Sequence, residues 1–203
     1  MPRIWVLPDE PLPVRLMSTI WAGQDGGHDD FQATADVDAW LDAVGLDRAG
    51  ARTTADELSR ACGLRDAVRR LAAQLTADTR GVDGAEAVDV ADAVDQVNSA
   101  AAALPRPCLT LRNGRLGRGA AGPASPVTAG LARVAEQSID LLTGPDAGRL
   151  RACYAPGCVL YFIAAHPRRA WCSVACGNRA RAARHYEKVR EDRYDKLRGP
   201  WAR

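Results

Sequence analysis

The sequence of 203 residues predicts an α+β protein. A mostly helical N-terminal domain with a small antiparallel sheet is expected over residues 1–148, and a small cysteine-rich unit with a long basic helix over residues 149–203. Three observations predict this organisation. Apolar residues recur with helical spacing through much of the first hundred residues. An Asn-Gly pair then separates two β-type segments, and four of the six cysteines fall within 24 residues near the C-terminus.

The N-terminal segment is rich in proline. Two short apolar runs, residues 4–7 and 14–17, are separated by three prolines, and this placement favours strands at a sheet edge. Residues 22–30 combine glycine with acidic side chains and predict a flexible acidic loop.

Three helices are expected next. Residues 36–44 place apolar side chains on one face, and Gly45 provides a stop. Thr54 and Glu57 form a capping-box pattern that opens a helix of about six turns. Residues 85–104 continue the apolar spacing and predict a third helix.

After residue 104, the spacing of apolar residues changes from the helical period to the alternation typical of strands. The Asn-Gly pair at 113–114 predicts a β-hairpin, and the glycine- and alanine-rich residues 117–126 predict a loop. A Ser-Pro pair at 125–126 supplies an N-cap and a first-turn proline for a helix to about Leu142.

The cysteine cluster has the spacing Cys153-x4-Cys158-x13-Cys172-x3-Cys176. Two close pairs joined by a short spacer are typical of a tetrahedral zinc site, and no secretion signal, which would favour disulfides, is expected at the N-terminus. Four thiolates leave no open coordination position. The pattern therefore predicts one structural Zn²⁺, with free thiols or disulfides as the alternative. His166 is interpreted as a turn residue.

The segment around these cysteines predicts a treble-clef-like zinc finger. Residues 159–171 have the pattern of strand, turn and strand. Cys172 and Cys176 are four residues apart, which would place both thiolates in the first turn of the following helix. The positive end of the helix dipole favours the deprotonated, metal-binding form there.

The net charge differs in sign between the two parts of the chain. Residues 1–150 carry 15 Lys and Arg against 21 Asp and Glu, a net charge of −6, whereas residues 151–203 carry 12 against 4, a net charge of +8. Arg181, Arg184 and Lys188 form a basic stripe at helical spacing, and Arg168 and Arg169 add charge from the predicted hairpin. The pattern favours phosphate contacts with double-stranded DNA. A solvated helix face remains the alternative.

Asn178 and Arg179 are candidates for base edges, because Asn pairs well with adenine and Arg with guanine. Both could instead support the zinc site. The leading hypothesis is a zinc-finger transcription regulator, and the alternative is a zinc-stabilised protein–protein interaction module without sequence-specific DNA binding.

The N-terminal domain contains no nucleophile elbow, phosphate loop or HExxH motif, so no enzyme is expected. The acidic cluster at residues 28–30 is interpreted as a loop patch. Trp21 and Trp40 are weak candidates for lining a small-molecule pocket. No apolar run is long enough to span a membrane, and the expected location is the cytoplasm, at the nucleoid when DNA is bound.

The motif Trp-Cys-Ser at 171–173, followed by Cys-Gly-Asn-Arg at 176–179, resembles the CGNR zinc finger family of bacterial proteins. Residues 40–46 and 64–68 look like the N-terminal domain that accompanies this finger, which is described as a stress-induced transcription regulator. The resemblance implies a zinc-stabilised DNA-binding segment at the C-terminus. It also implies an N-terminal domain that senses a ligand or a stress.

Overall fold

A computed structural model describes residues 7–23, 26–81, 88–122 and 125–198. The helices are α1 (Leu12–Met17), α2 (Thr34–Ala43), α3 (Ala55–Thr76), α4 (Val90–Ala102), α5 (Pro126–Thr143) and α6 (Val174–Arg198). The strands form three antiparallel pairs: β1 (Ile20–Ala22) with β2 (Gly27–Asp29), β3 (Arg106–Arg112) with β4 (Arg115–Ala121), and β5 (Leu150–Ala152) with β6 (Tyr161–Ile163). The α+β class is confirmed.

Helix α3 is the central element, since it packs against α1, α2, α4, α5 and β5. The main core contains the fully buried side chains of Leu16, Trp40 and Leu64. The inward residues of the β5–β6 pair, including Leu150 and Tyr161, belong to the same core. The C-terminal unit is therefore packed into the body rather than hung from a linker. None of the described helices is long and apolar enough to cross a membrane.

The predicted capping box begins α3. The Oγ1 of Thr54 accepts a hydrogen bond from the Glu57 amide at 3.2 Å, and Glu57 accepts one from the Thr54 amide at 2.9 Å. The second carboxylate oxygen of Glu57 accepts hydrogen bonds from the hydroxyls of Ser125 and Thr128, in the first turn of α5. Burial disfavours the charged form of Glu57, yet these hydrogen bonds outweigh it and lower its pKa. One carboxylate thus ties the starts of two helices together.

Two expectations for the N-terminus are wrong. Residues 14–17 lie in helix α1, because Pro11 and Pro13 occupy the helix start, where a missing N–H costs nothing. Of the first apolar run, residues 4–7, residues 4–6 lie outside the described residues. The expected acidic loop contains the last residue of β1 and all of β2, and Asp29 forms an ion pair of 2.6 Å with the buried Arg65.

The loop expected at 117–126 is also corrected. Strand β4 runs to Ala121, because an antiparallel ladder bonds backbone to backbone and so accepts small side chains. Asn113 and Gly114 form the two-residue turn with φ of 51° and 73°, as the Asn-Gly signal predicts. Helix α4 is confirmed from Val90 onward, and residues 85–87 of the expected helix lie outside the described residues.

Candidate metal centre and basic helix

Four buried thiols converge beside the body. Cys153 and Cys158 lie in the knuckle between β5 and β6, Cys172 lies just before α6, and Cys176 lies in its first turn. Their four Sγ atoms lie within 4.8 Å of one another. The Sγ atoms of Cys158 and Cys172 are 3.8 Å apart. Tetrahedral Zn–S bonds of about 2.3 Å place neighbouring sulfurs about 3.8 Å apart, so the donor set fits one zinc ion.

The proximity of the thiols makes them share protons. Hydrogen bonds from Cys158 and Cys172 lower the pKa of Cys153 to about 2. The hydrogen bond to Cys153 raises the pKa of Cys158 to about 12, and it raises that of Cys172 as well. One thiolate forms readily, whereas further ionisation brings like charges together. A divalent cation removes this repulsion, and its binding displaces the remaining protons.

Two groups donate hydrogen bonds to sulfurs of the cluster, and a third hydrogen bond closes the start of α6. The Cys172 amide donates to the Sγ of Cys153 at 3.5 Å, and the Ser173 hydroxyl accepts from the Cys176 amide at 3.2 Å. Arg179 donates from Nη2 to the Sγ of Cys176 at 3.1 Å, and this contact raises the pKa of the arginine. Such donors orient metal ligands and offset thiolate charge.

The finger differs from the expectation in two details. Helix α6 begins at Val174, so Cys172 precedes the first turn, and the Ser173 hydroxyl takes the N-cap position. No strand follows β6 among the described residues 164–173. The partner of β6 is β5, on the other side of the knuckle, so the strand-turn-strand expected at 159–171 is wrong. The finger retains the knuckle, the hairpin and the ligand-bearing helix.

Arg80 attaches the knuckle to the body. Its Nη1 donates to the carbonyl oxygens of Cys153, Cys158 and Leu160 at 2.9, 3.2 and 3.1 Å. Its Nη2 lies 2.5 Å from the buried carboxylate of Asp78. Sequence reasoning missed this residue, because three backbone carbonyls that converge on one side chain leave no motif.

Two aromatic rings enclose this arginine. The rings of Tyr154 and Tyr161 lie 5.5 and 5.0 Å from the guanidinium carbon of Arg80. The Tyr161 hydroxyl donates to Asp78 at 2.8 Å. Burial disfavours the charged form of Asp78, but the hydrogen bonds from Arg80 and Tyr161 outweigh it and lower its pKa.

A second set of contacts holds β6 and the knuckle. The buried Arg69 donates to the Met17 carbonyl at 2.9 Å and to the Val159 carbonyl at 3.2 Å. Glu10 accepts from the Ile163 amide at 2.9 Å. Polar bonds and the shared apolar core therefore both fix the finger against the body.

Arg169, one of the predicted DNA contacts, lies inside this network. It donates to the carbonyls of Ile163 and Cys172 at 2.9 and 2.8 Å, and its guanidinium carbon lies 4.9 Å from the Phe162 ring centre. It also forms an ion pair of 2.9 Å with Glu10. Its neighbour Arg168 is exposed.

Helix α6 leaves the body after its first turns. From 181 to 194 every residue is exposed except the half-buried Ala183. Arg184 and Lys188 are exposed, and the exposed Arg181 donates a hydrogen bond to Asn178. The basic stripe predicted from the sequence thus lies on a solvent-facing helix that begins at the metal centre.

The two predicted ligand-site tryptophans lie in different surroundings. Trp40 is fully buried in the main core, edge to face with Phe31 at 5.9 Å. Trp21 stacks on His28 at 4.1 Å, donates to Asp30 at 3.2 Å and packs against the finger. A cavity of about 320 Å³ lies elsewhere, between α3, α4 and α5. It is lined by Arg60, Leu64, Gln96, Ser99, Ala100, Ala103, Thr128, Leu131 and Ala132.

Two family models match the chain. The ABATE model, described as "Putative stress-induced transcription regulator", matches residues 10–145, and the CGNR zinc finger model matches residues 149–189. Neither description is that of an enzyme. No curated protein sequence matches the chain significantly. The division into domains 1–148 and 149–203 stays a prediction, since the two units share a core.

Proposed function

The chain belongs to the ABATE family and carries a CGNR zinc finger, and from that premise we propose that it is a transcription regulator that binds double-stranded DNA through α6. One observation carries the proposal. The candidate metal centre fixes the start of α6, and the basic stripe of this helix is exposed to solvent rather than packed on the body. The acidic body repels phosphate, which would confine contact to the basic elements. DNA contact places the action of the protein in the cytoplasm, at the nucleoid.

The seven candidate residues take different roles in this proposal. Arg181, Arg184 and Lys188 contact phosphates, and the exposed Arg168 adds a contact from the loop before α6. The remaining candidates stay closer to the metal. We assign Arg169 and Arg179 to holding the finger, because their guanidinium groups donate to its carbonyls and to a ligand sulfur.

Asn178 is the remaining candidate for reading a base. Its side-chain oxygen accepts a hydrogen bond from Arg181, so base contact would require this pair to separate or to bind the duplex together. Replacing Asn178 with Ala then relaxes preference at one position, at a cost of about 1–3 kcal/mol. A preference that is unchanged at every position assigns Asn178 to the finger instead.

The test is duplex affinity as a function of salt. In the α6 variant, Arg181, Arg184 and Lys188 are all changed to Ala. We expect the magnitude of the slope of log affinity against log salt concentration to fall by about 2.7, since each phosphate contact contributes about 0.9. The control replaces three exposed arginines outside α6, Arg52→Ala, Arg133→Ala and Arg149→Ala, here termed the body control.

The control removes the same charge without touching α6. Equal affinity in the wild type and the α6 variant, with zinc retained, would contradict DNA contact through this helix. Docking on an acidic protein would then be the better function for the finger.

The cavity between α3, α4 and α5 favours a sensing role for the body. Its lining is mainly apolar, with Arg60 as the one charged side chain and with the amide of Gln96. Such a lining suits a small apolar carboxylic acid. A panel of aromatic and aliphatic carboxylic acids should raise the melting temperature of the wild type but not of Ala100→Leu, which fills the cavity. A panel without any shift in the wild type would remove this support.

A further inference from the structure

The β3–β4 pair, here called the ribbon, exposes apolar side chains. Leu109, Leu111 and Leu116 are 76%, 68% and 72% exposed, which is unusual for three leucines in one short element. The ladder contains seven paired positions and closes in the two-residue Asn-Gly turn. A two-stranded ribbon is marginally stable alone in water, so a surface of this kind benefits from a partner.

The register separates the side chains onto two faces. Leu111 lies opposite Leu116, and Leu109 lies opposite Arg118, so these four residues share one face. Arg112 lies opposite Arg115 on the other face, at the tip.

The face with the two tip arginines also carries Thr110 and Cys108, which lie opposite glycines. It carries Gly117 and Gly119, and Thr110 lies over both glycines: an added Cβ would come within 3.2 Å of its Oγ1 at Gly117 and 2.6 Å of its Cγ2 at Gly119. The second of these contacts would force the Thr110 side chain to move.

The ribbon is also strongly basic. Residues 106–121 contain four arginines and no acidic residue, although residues 1–150 carry a net charge of −6. Positive charge is thus concentrated in two places, the ribbon and the C-terminal helix. Pairing the ribbon with a second copy would bring eight arginines together, which disfavours self-association and favours a polyanion.

We propose that the ribbon is a second DNA-contacting element that enters a groove of the duplex. The proposal rests on the DNA-binding function proposed above. The major groove, about 12 Å wide, admits a two-stranded β-ribbon. Arg112, Arg115 and Arg118 contact phosphates along the groove walls, and the leucine face contacts the apolar parts of sugars and bases.

The chain order separates the two DNA-contacting elements. The ribbon precedes α5, and the finger follows it, so that a helix of 18 residues, about 27 Å long, lies between their attachment points. The ribbon and α6 would therefore contact different phosphates, and their contributions to the salt slope should add.

The experiment compares a ribbon variant, R112A/R115A/R118A, with the body control under matched salt conditions. We expect the salt slope of the ribbon variant to fall by about 2.7 while the body control changes little. Zinc content and melting temperature should remain those of the wild type, because the three side chains are exposed. A ribbon variant that binds like the body control overturns the proposal.

The α6 variant makes the two possible failures distinguishable. If the α6 variant binds weakly while the ribbon variant binds like the body control, the ribbon proposal fails and DNA binding through α6 stands. If the wild type does not bind duplex DNA at all, both proposals fail.

A double substitution tests whether a second copy of the chain, rather than DNA, covers the leucine face. The ribbon proposal expects L109S/L111S to weaken duplex binding and to leave the sedimentation coefficient unchanged. A wild-type dimer that this variant converts to a monomer would make the ribbon an interface between copies, and the proposal would be overturned.

Discussion

The two halves of the finger use arginine in opposite ways. At residues 150–173, here called the knuckle half, Arg80 of the body and the finger's own Arg169 donate to backbone carbonyls and pair with acids of the body. In the helical half, Arg181, Arg184 and Lys188 face solvent. The inward residues of β5 and β6 belong to the main core, whereas α6 is exposed beyond its first turns. A short segment that is basic overall therefore combines an attachment to the body with a surface for a partner.

The contrast shows why net charge alone is a poor guide to a binding surface. Residues 151–203 have a net charge of +8, yet part of that charge, on Arg169, neutralises Glu10 of the body. A guanidinium with several protein carbonyls as acceptors is not free to bind phosphate. The location of each arginine decides its role.

The largest effect is expected from loss of the metal. Changing Cys172 to Ser should abolish zinc binding and lower the melting temperature of the whole protein, because Leu150 and Tyr161 of the finger lie in the main core. Structural zinc contributes on the order of 10–16 kcal/mol, as much as the entire stability of a typical domain. Metal analysis and thermal unfolding measure both effects.

Cys108→Ser is the control for this change, since Cys108 lies on the ribbon outside the cluster. It should retain one zinc and the wild-type melting temperature. An unchanged melting temperature of the body after zinc loss would mean that the finger folds and unfolds by itself.

A smaller loss of stability is expected where Arg80 and Asp78 attach the knuckle to the body, here called the joint. Changing Arg80 to Ala leaves three carbonyls without their donor and the buried Asp78 without its counter-charge, and should lower the free energy of unfolding by about 3–5 kcal/mol. The exposed pair of Arg149 and Asp146 offers a control, because Arg149→Ala should cost less than about 1 kcal/mol. Denaturant unfolding of zinc-loaded protein compares them. Equal losses would contradict the role of Arg80 as the joint.

Alkaline pH should weaken the same joint. Burial and the hydrogen bond to Asp78 raise the pKa of Tyr161 to about 12, from about 10 in the unfolded chain. The native state therefore holds this proton more tightly, so its contribution is complete below pH 10 and is lost as the pH rises through 12. The loss reaches about 3 kcal/mol. The stability of Tyr161→Phe should lack this step, while Tyr186→Phe, on the exposed face of α6, should retain it.

The smallest effect on stability is expected in α6. The variant R181A/R184A/K188A should keep its zinc and lose no more than about 0.5 kcal/mol per substitution, because these side chains are exposed. Zinc content and denaturant midpoint check this. A loss similar to that of Arg80→Ala would show that the stripe supports the fold, and the contrast between the two halves would disappear.

Local signals in the sequence predict much of this structure. The capping box locates the start of α3, the Ser-Pro pair locates that of α5, and the Asn-Gly pair locates the turn of the ribbon. The four cysteines of the metal centre follow from spacing alone. In each case a few neighbouring residues determine the local geometry, so no distant contact is needed.

The features that were missed depend on distant contacts. Strand β5 pairs with β6 across the knuckle, and three residues in each strand leave little periodicity to detect. Arg80 lies more than 70 residues from the carbonyls it binds. The length of β4 was missed because backbone pairing with β3, not its glycine-rich composition, determines it.

Hydrogen exchange with and without duplex DNA tests the contrast between the two halves most directly. The account predicts that DNA slows amide exchange in α6, where most side chains are exposed, and leaves β5 and β6 unchanged, because these strands are already protected by the core. Protection that appears in β5 and β6 while α6 exchanges as in the free protein would contradict the account.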